Sequence, residues 1–191
     1  MEASLSWLEA YNKEKAPADR LLALVLVMKA AGLALKHVPN LNGQYGENGL
    51  EKSEHVHMGT AIALRGGGLV NPAIFDIDQL PLPDLMAQLK DLSGRVRQGR
   101  MRRTELTEGT FTVTSLGEGG VEMMTPIISP PQVGILAMGS IIERPWVVDG
   151  KVVPRRLVHL TLAGDHRASD GRHGAHFLEI VTSLLQEPEK L

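Results

Sequence analysis

One stretch, Leu21 to Leu35, limits the fold more than any other, because it is apolar except for Lys29 and Gly32. Leu21, Leu24, Val25 and Met28 recur at helical spacing, and Leu22, Val27 and Ala31 widen the face over most of the circumference. A helix of that kind is a buried one. It is too short and too interrupted to span a bilayer. The pattern predicts a helix over 20–37, opened by Asp19 and ended by Pro39, that the rest of the chain must cover. With 191 residues and 43% apolar content, one domain over 1–191 can bury such a core.

The covering material reads as strands and two further long helices. Ser4 or Ser6 can cap a short helix through Lys13, followed by a break over 15–19. Residues 38–49 hold Pro, three Asn and three Gly, a loop or hairpin. Strands follow over 56–64 and, after the turn at Gly66–Gly68, through Ile74. Pro81 and Pro83 introduce a helix over 84–97. The second half is mostly strand: 110–116, 133–142, a hairpin over 146–153 turning at Asp149-Gly150, and 158–163. A last helix spans 171–185, with Phe177, Ile180, Val181 and Leu184 on its inner face. One mixed sheet with helices packed against it is the simplest architecture.

Composition removes several function classes. Cysteine is absent, which excludes disulfides, cysteine metal sites and a cysteine nucleophile. A net charge of -2 gives no global pull toward nucleic acid or anionic lipid. The polar, mixed-charge start lacks the pattern of a secretory signal, and a cytoplasmic protein is expected. His55 with His57, His159 with His166, and His173 with His176 lack an HExxH pattern or a third ligand at diagnostic spacing, so no metal is expected. The run Arg95, Arg97, Arg100, Arg102 and Arg103 reads as a solvated helix end with favourable dipole charges. The triple glycine has no GxGxxG or GK[ST] context.

Two stretches can carry chemistry. In Asp165-His166-Arg167-Ala168-Ser169-Asp170-Gly171 a histidine and an aspartate sit four apart between a strand and a helix. An imidazole there can act as general base near neutral pH. On spacing alone, Asp170 capping the last helix beside an ordinary polar His166 is the favoured reading. In Gly109-Thr110-Phe111-Thr112-Val113-Thr114 alternation puts three threonines on one strand face. A hydroxyl at the strand end can donate to an oxyanion, although threonine is also simply a good strand residue.

These stretches belong to a larger set. Asp165-His166-Arg167-x-x-Asp170-Gly171 follows, in order along the chain, His57-x-Gly59, Gly68-Leu69-Val70-x-Pro72, Gly109-x-Phe111-Thr112-x-Thr114, Thr125-Pro126-Ile127-Ile128-x-Pro130-Pro131-Gln132 and Ile135-Leu136. Together they resemble the dihydrolipoyl acyltransferases, core subunits of 2-oxo acid dehydrogenase complexes. The resemblance implies an α/β two-layer sandwich like that of chloramphenicol acetyltransferase, and a homotrimer with sites between subunits that can assemble into a larger core. It implies His166 as general base, Thr114 as oxyanion donor and Asp170 at the second catalytic position. The substrates it implies are coenzyme A and a lipoyl group. None of the lysines here has the family's Asp-Lys-Ala lipoylation setting, so that group is expected on another chain or domain, with lipoyl domains and dehydrogenase components as partners. The chain reads as a single catalytic domain, N-terminally shortened relative to the family. A non-catalytic scaffold role is the alternative.

Overall fold

Helix α2 (Ala23–His37) is the buried centre that its composition requires: ten of its 15 residues are buried. The structure, a computed structural model, describes residues 1–64, 66–116 and 119–191. The two residues that interrupt the apolar stretch are where the loop after Ile74 docks. Lys29 Nζ donates to the carbonyls of Asp78 (2.7 Å) and Leu80 (2.8 Å). A Cβ at Gly32 would lie 2.9 Å from an Ile77 methyl. Burial pushes the Lys29 ammonium down from its ordinary value and the Asp78 carboxylate pulls the other way. A buried cation is thus tolerated because it terminates carbonyls that no secondary structure satisfies.

The sheet is mixed, in the order β11 (Leu160–Gly164), β8 (Gly134–Met138), β7 (Phe111–Ser115), β3 (Met58–Thr60) and β6 (Ala73–Ile74). The inner three strands are parallel, and both edges are antiparallel. Phe111, Val113, Leu136, Met138 and Met58 project into the core shared with α2 and with α5 (Gly171–Gln186). Thr112, Thr114, Ala137 and Thr161 fall on the opposite face by the two-residue alternation. On α5 the deepest residues are Phe177, Val181 and Leu185, a strict four-residue stripe. Ile180 and Leu184, expected inside, are only partly buried.

Three ribbons surround this sandwich: β1 (Gly43–Gly46) with β2 (Gly49–Lys52), β4 (Ile62–Ala63) with β5 (Leu69–Val70), and β9 (Ile142–Val148) with β10 (Lys151–Leu157). The single strand expected over 56–64 is therefore two, β3 and β4, in separate sheets. The last ribbon turns at Asp149 (φ 49) and Gly150 (φ 74), the conformation a two-residue hairpin demands. It is longer than expected and carries exposed Trp146, Val147 and Val152.

Helix α1 (Glu2–Lys13) starts before the expected caps; Ser4 lies inside it, and its hydroxyl donates to the Leu185 carbonyl. Helix α3 (Leu82–Arg97) begins at its prolines. A short α4 (Arg103–Thr107), not foreseen, explains part of the arginine run. Arg95 is no solvated end charge. Its guanidinium grips buried Glu105 through two bonds of 2.7 and 2.8 Å and also meets Asp91 at 2.7 Å. Arg97, Arg100, Arg102 and Arg103 remain exposed.

Candidate active site

The loop from Asp165 to Asp170 leaves β11 at its C-terminal end and enters α5. Asp165 extends the sheet by one residue, its amide donating to Val133 O at 2.8 Å. Its carboxylate then takes the Arg167 amide (2.9 Å), Nε (3.0 Å) and Nη2 (2.6 Å). That clip closes a tight turn in which the amides of Ala168 and Ser169 both donate to Asp165 O at 3.0 Å. His166 lies between the clipped residues. Its side chain is exposed and has no partner among the described residues. Such a residue has a fixed backbone and a free ring, the condition a general base requires.

Hydrogen bonding from Arg167 pulls the Asp165 carboxyl down from 3.8 to about 2. The stability this clip contributes is therefore present above pH ~4 and is lost as pH falls through about 2. Asp165→Asn is expected to lose less stability than the wild type between pH 5 and pH 2 in acid-unfolding curves. Equal losses would deny the clip any part in acid sensitivity.

Asp170 ends the loop as the N-cap of α5. Its Oδ1 accepts from the amides of His173 (3.1 Å) and Arg172 (2.9 Å), and its own amide donates to His173 Nδ1 at 3.3 Å. The His173 amide leads in holding its carboxyl below the ordinary range. A negative charge there also suits the helix dipole.

The three β7-face threonines divide by depth. Thr110 Oγ1 donates to Asn42 Oδ1 at 2.7 Å and accepts from the His57 amide at 3.0 Å. Thr112 is held between Gln132 and Asn71. Thr114 is half-buried near the strand's end, and its hydroxyl has no partner among the described residues. His55 and His57 lie just before β3. His55 Nδ1 meets Asp76 Oδ1 at 2.8 Å, and burial lowers the pKa of His57. Among the described residues, no group of three or more His, Cys, Asp or Glu side chains could hold a metal ion.

Strand register keeps His166 and Thr114 apart within one chain. Thr114 pairs with Ala137, and Ala137 with Thr161, whereas the loop begins beyond Gly164. Two strand spacings and three residues of rise put Gly164 roughly 14 Å from Thr114, with His166 two residues further on. The two residues thus lie toward opposite ends of the sheet.

The family model described as 2-oxoacid dehydrogenases acyltransferase (catalytic domain) matches residues 1–191. The chain belongs to this family. Among curated members it is 36% identical over 197 residues to the dihydrolipoyllysine-residue acetyltransferase component of the acetoin cleaving system of Bacillus subtilis, covering 100% of this chain and 49% of that protein. The chain thus spans about half the length of the curated relatives it matches. Among solved structures, the dihydrolipoamide acetyltransferase of Azotobacter vinelandii superposes with a TM-score of 0.89 at 31% identity, over 99% of this chain and 79% of that one. A serine, a histidine and an asparagine were investigated there for their role in the catalytic mechanism. Chloramphenicol acetyltransferase, at 14% identity and a TM-score of 0.61 over 96% of this chain and 83% of that one, shares the fold. The mixed sheet and helices of this family member are those its motifs led one to expect. Among its described residues, no helix is long and apolar enough to cross a membrane.

The signature histidine and aspartate were legible in sequence. The clip between Asp165 and Arg167, and the packing of Tyr45 against it, were not. Nothing local marks Tyr45, which meets the loop from a separate hairpin.

Proposed function

We infer that this domain moves an acyl group between a dihydrolipoyl thiol and coenzyme A, at a site completed by a second copy of the chain. His166 of one copy is the base, and Thr114 of another is the oxyanion donor. The observation that carries this reading is the 165–170 loop, which offers one exposed, unpaired imidazole on a clipped backbone. Two others support it. Thr114, His166 and Asp170 are spaced along this chain, at 52 and 4 positions, as the serine, histidine and asparagine studied in the Azotobacter enzyme are along theirs. Leu116, two residues beyond Thr114, is 51% exposed, apolar surface that a neighbouring subunit would cover. The family's homotrimer supplies that neighbour.

The chemistry follows from thiol acidity. A thiol of pKa ~8.5 is mostly protonated at neutral pH and attacks slowly until a base takes its proton. His166 takes the proton from the incoming thiol, of CoA or of dihydrolipoamide according to direction. The new sulfur–carbon bond pushes the carbonyl electrons onto oxygen, which accepts a hydrogen bond from Thr114 Oγ1. Collapse breaks the original carbon–sulfur bond, and the departing thiolate recovers the proton from His166. Base and acid are one residue, so the step runs both ways. Asp170 fixes the end of the loop by capping α5 and moves no proton. The lipoyl arm arrives on another chain or domain, with a lipoyl domain and dehydrogenase components as partners in a cytoplasmic complex.

Acyl transfer from acetyl-CoA to free dihydrolipoamide tests the reading, with succinyl and isobutyryl donors beside it. Thr114→Ala is expected to lower turnover about 10²-fold, the scale of one lost oxyanion donor, and Thr114→Ser to retain it. A full rate in Thr114→Ala would remove that residue from the mechanism. No transfer by the wild type from any of the three donors would favour a scaffold role.

A further inference from the structure

The loop that carries His166 is gripped by a part of the molecule with no catalytic group of its own. Tyr45, on β1, lies beneath the Arg167 guanidinium, whose central carbon is 4.0 Å from the ring centroid. The same guanidinium holds Asp165 on the other side of His166. The ring is therefore the far jaw of a three-part clamp: Tyr45, then Arg167, then Asp165.

The base under that jaw is rigid. The Tyr45 amide donates to Pro131 O at 2.7 Å, and the Gly43 amide to Thr110 O at 3.0 Å. Gln44 bridges to Gln132, two residues before β8. The strand bearing Tyr45 is thus sewn to the entries of both β7 and β8. A second tether runs alongside, where Asn40 Nδ2 donates to Ala168 O (3.2 Å) and is itself held by Lys52 Nζ (3.0 Å) from β2. The β1–β2 ribbon and the turn before it form a cradle for the loop.

We propose that Tyr45 is a positioning residue for His166, acting through the face of its ring on Arg167. The proposal rests on His166 being the base. A cation over an aromatic face is held by the ring's quadrupole, which an aliphatic side chain of similar bulk lacks. Arg167 is largely exposed, so the ring on one side and Asp165 on the other are what restrict it. When Arg167 is released, the turn that presents His166 gains freedom. Misplacing a base by about 1 Å costs on the order of 10²-fold in rate without altering substrate affinity.

Three variants of the full chain separate ring chemistry from bulk. Tyr45→Leu is expected to lower kcat between about 10- and 100-fold, with KM for acetyl-CoA and dihydrolipoamide within about twofold. Tyr45→Phe keeps the aromatic face and should restore kcat. His166→Ala, assayed beside them, reports on the base itself. Hydrogen exchange gives a readout independent of turnover: the Ala168 and Ser169 amides should exchange faster in Tyr45→Leu and at the wild-type rate in Tyr45→Phe. Full activity in Tyr45→Leu, equal losses in Leu and Phe, or a change confined to KM would each overturn the proposal. An active His166→Ala would instead remove the base, and the positioning role with it. Loss in His166→Ala alone, with Tyr45→Leu unimpaired, would leave the base standing and Tyr45 without that role.

Discussion

His166→Ala is expected to lower acyl transfer on the order of 10³-fold while leaving fold and CoA affinity intact. Among the described residues beside it in the chain, none is free to substitute. Asp165 and Arg167 are committed to one another, and of the two nearest histidines along the chain His173 is tied to Asp170 and His159 faces Glu122. The exposed side chain fills no core space, so stability should change by no more than about 0.5 kcal/mol. The companion result is more diagnostic. Thr114→Ala alone should also be crippled, but co-assembling it with His166→Ala in equal amounts should recover roughly a quarter of wild-type activity. One in four neighbouring pairs then joins an intact His166 to an intact Thr114. A mixed assembly as inactive as its parents would mean that the two residues do not meet across copies.

Phe177→Ala is expected to destabilise the protein by about 3–5 kcal/mol, the scale of losing a fully buried ring. Phe177 is fully buried, and its ring centroid lies 5.5 Å from that of Phe111 at a tilted angle. The pair joins α5 to the middle strand of the sheet. The cavity cannot close easily, because Phe111 lies against the bare backbone of Gly134, where a Cβ would come within 2.5 Å of the ring. Helix α5 meets α2 along the same line, so neither layer can shift toward the void alone. Urea unfolding at fixed protomer concentration would measure this, since subunit association shifts the apparent midpoint. A loss below about 1 kcal/mol would show that the core relaxes around the gap.

Much of the molecule was readable before folding. The apolar run of α2, the alternation of β7 and the Asp149-Gly150 turn are short-range patterns, and each became the element it predicted. Helix α4 escaped because five residues carry too little periodicity to register. The break between β3 and β4 escaped because one apolar run can serve two sheets, and only its partners divide it. Arg95 was misjudged for the same reason: its partner Glu105 sits on an element that was not foreseen.

The candidate site divides along the same line. The sequence by itself singled out His166, Asp170 and Thr114 as candidates, and placed two of them around a turn into a helix. It left Asp170 open between cap and catalyst; tertiary structure gave its carboxylate two helix amides. Only the sheet decided that His166 and Thr114 lie toward opposite ends of one sheet, because strand order and register arise from pairing between distant segments. Only packing brought Tyr45 beneath Arg167, from 122 positions away. Periodicity and capping act over a few residues and are written locally. Register, and contacts across the sheet, come from burying the whole apolar surface at once.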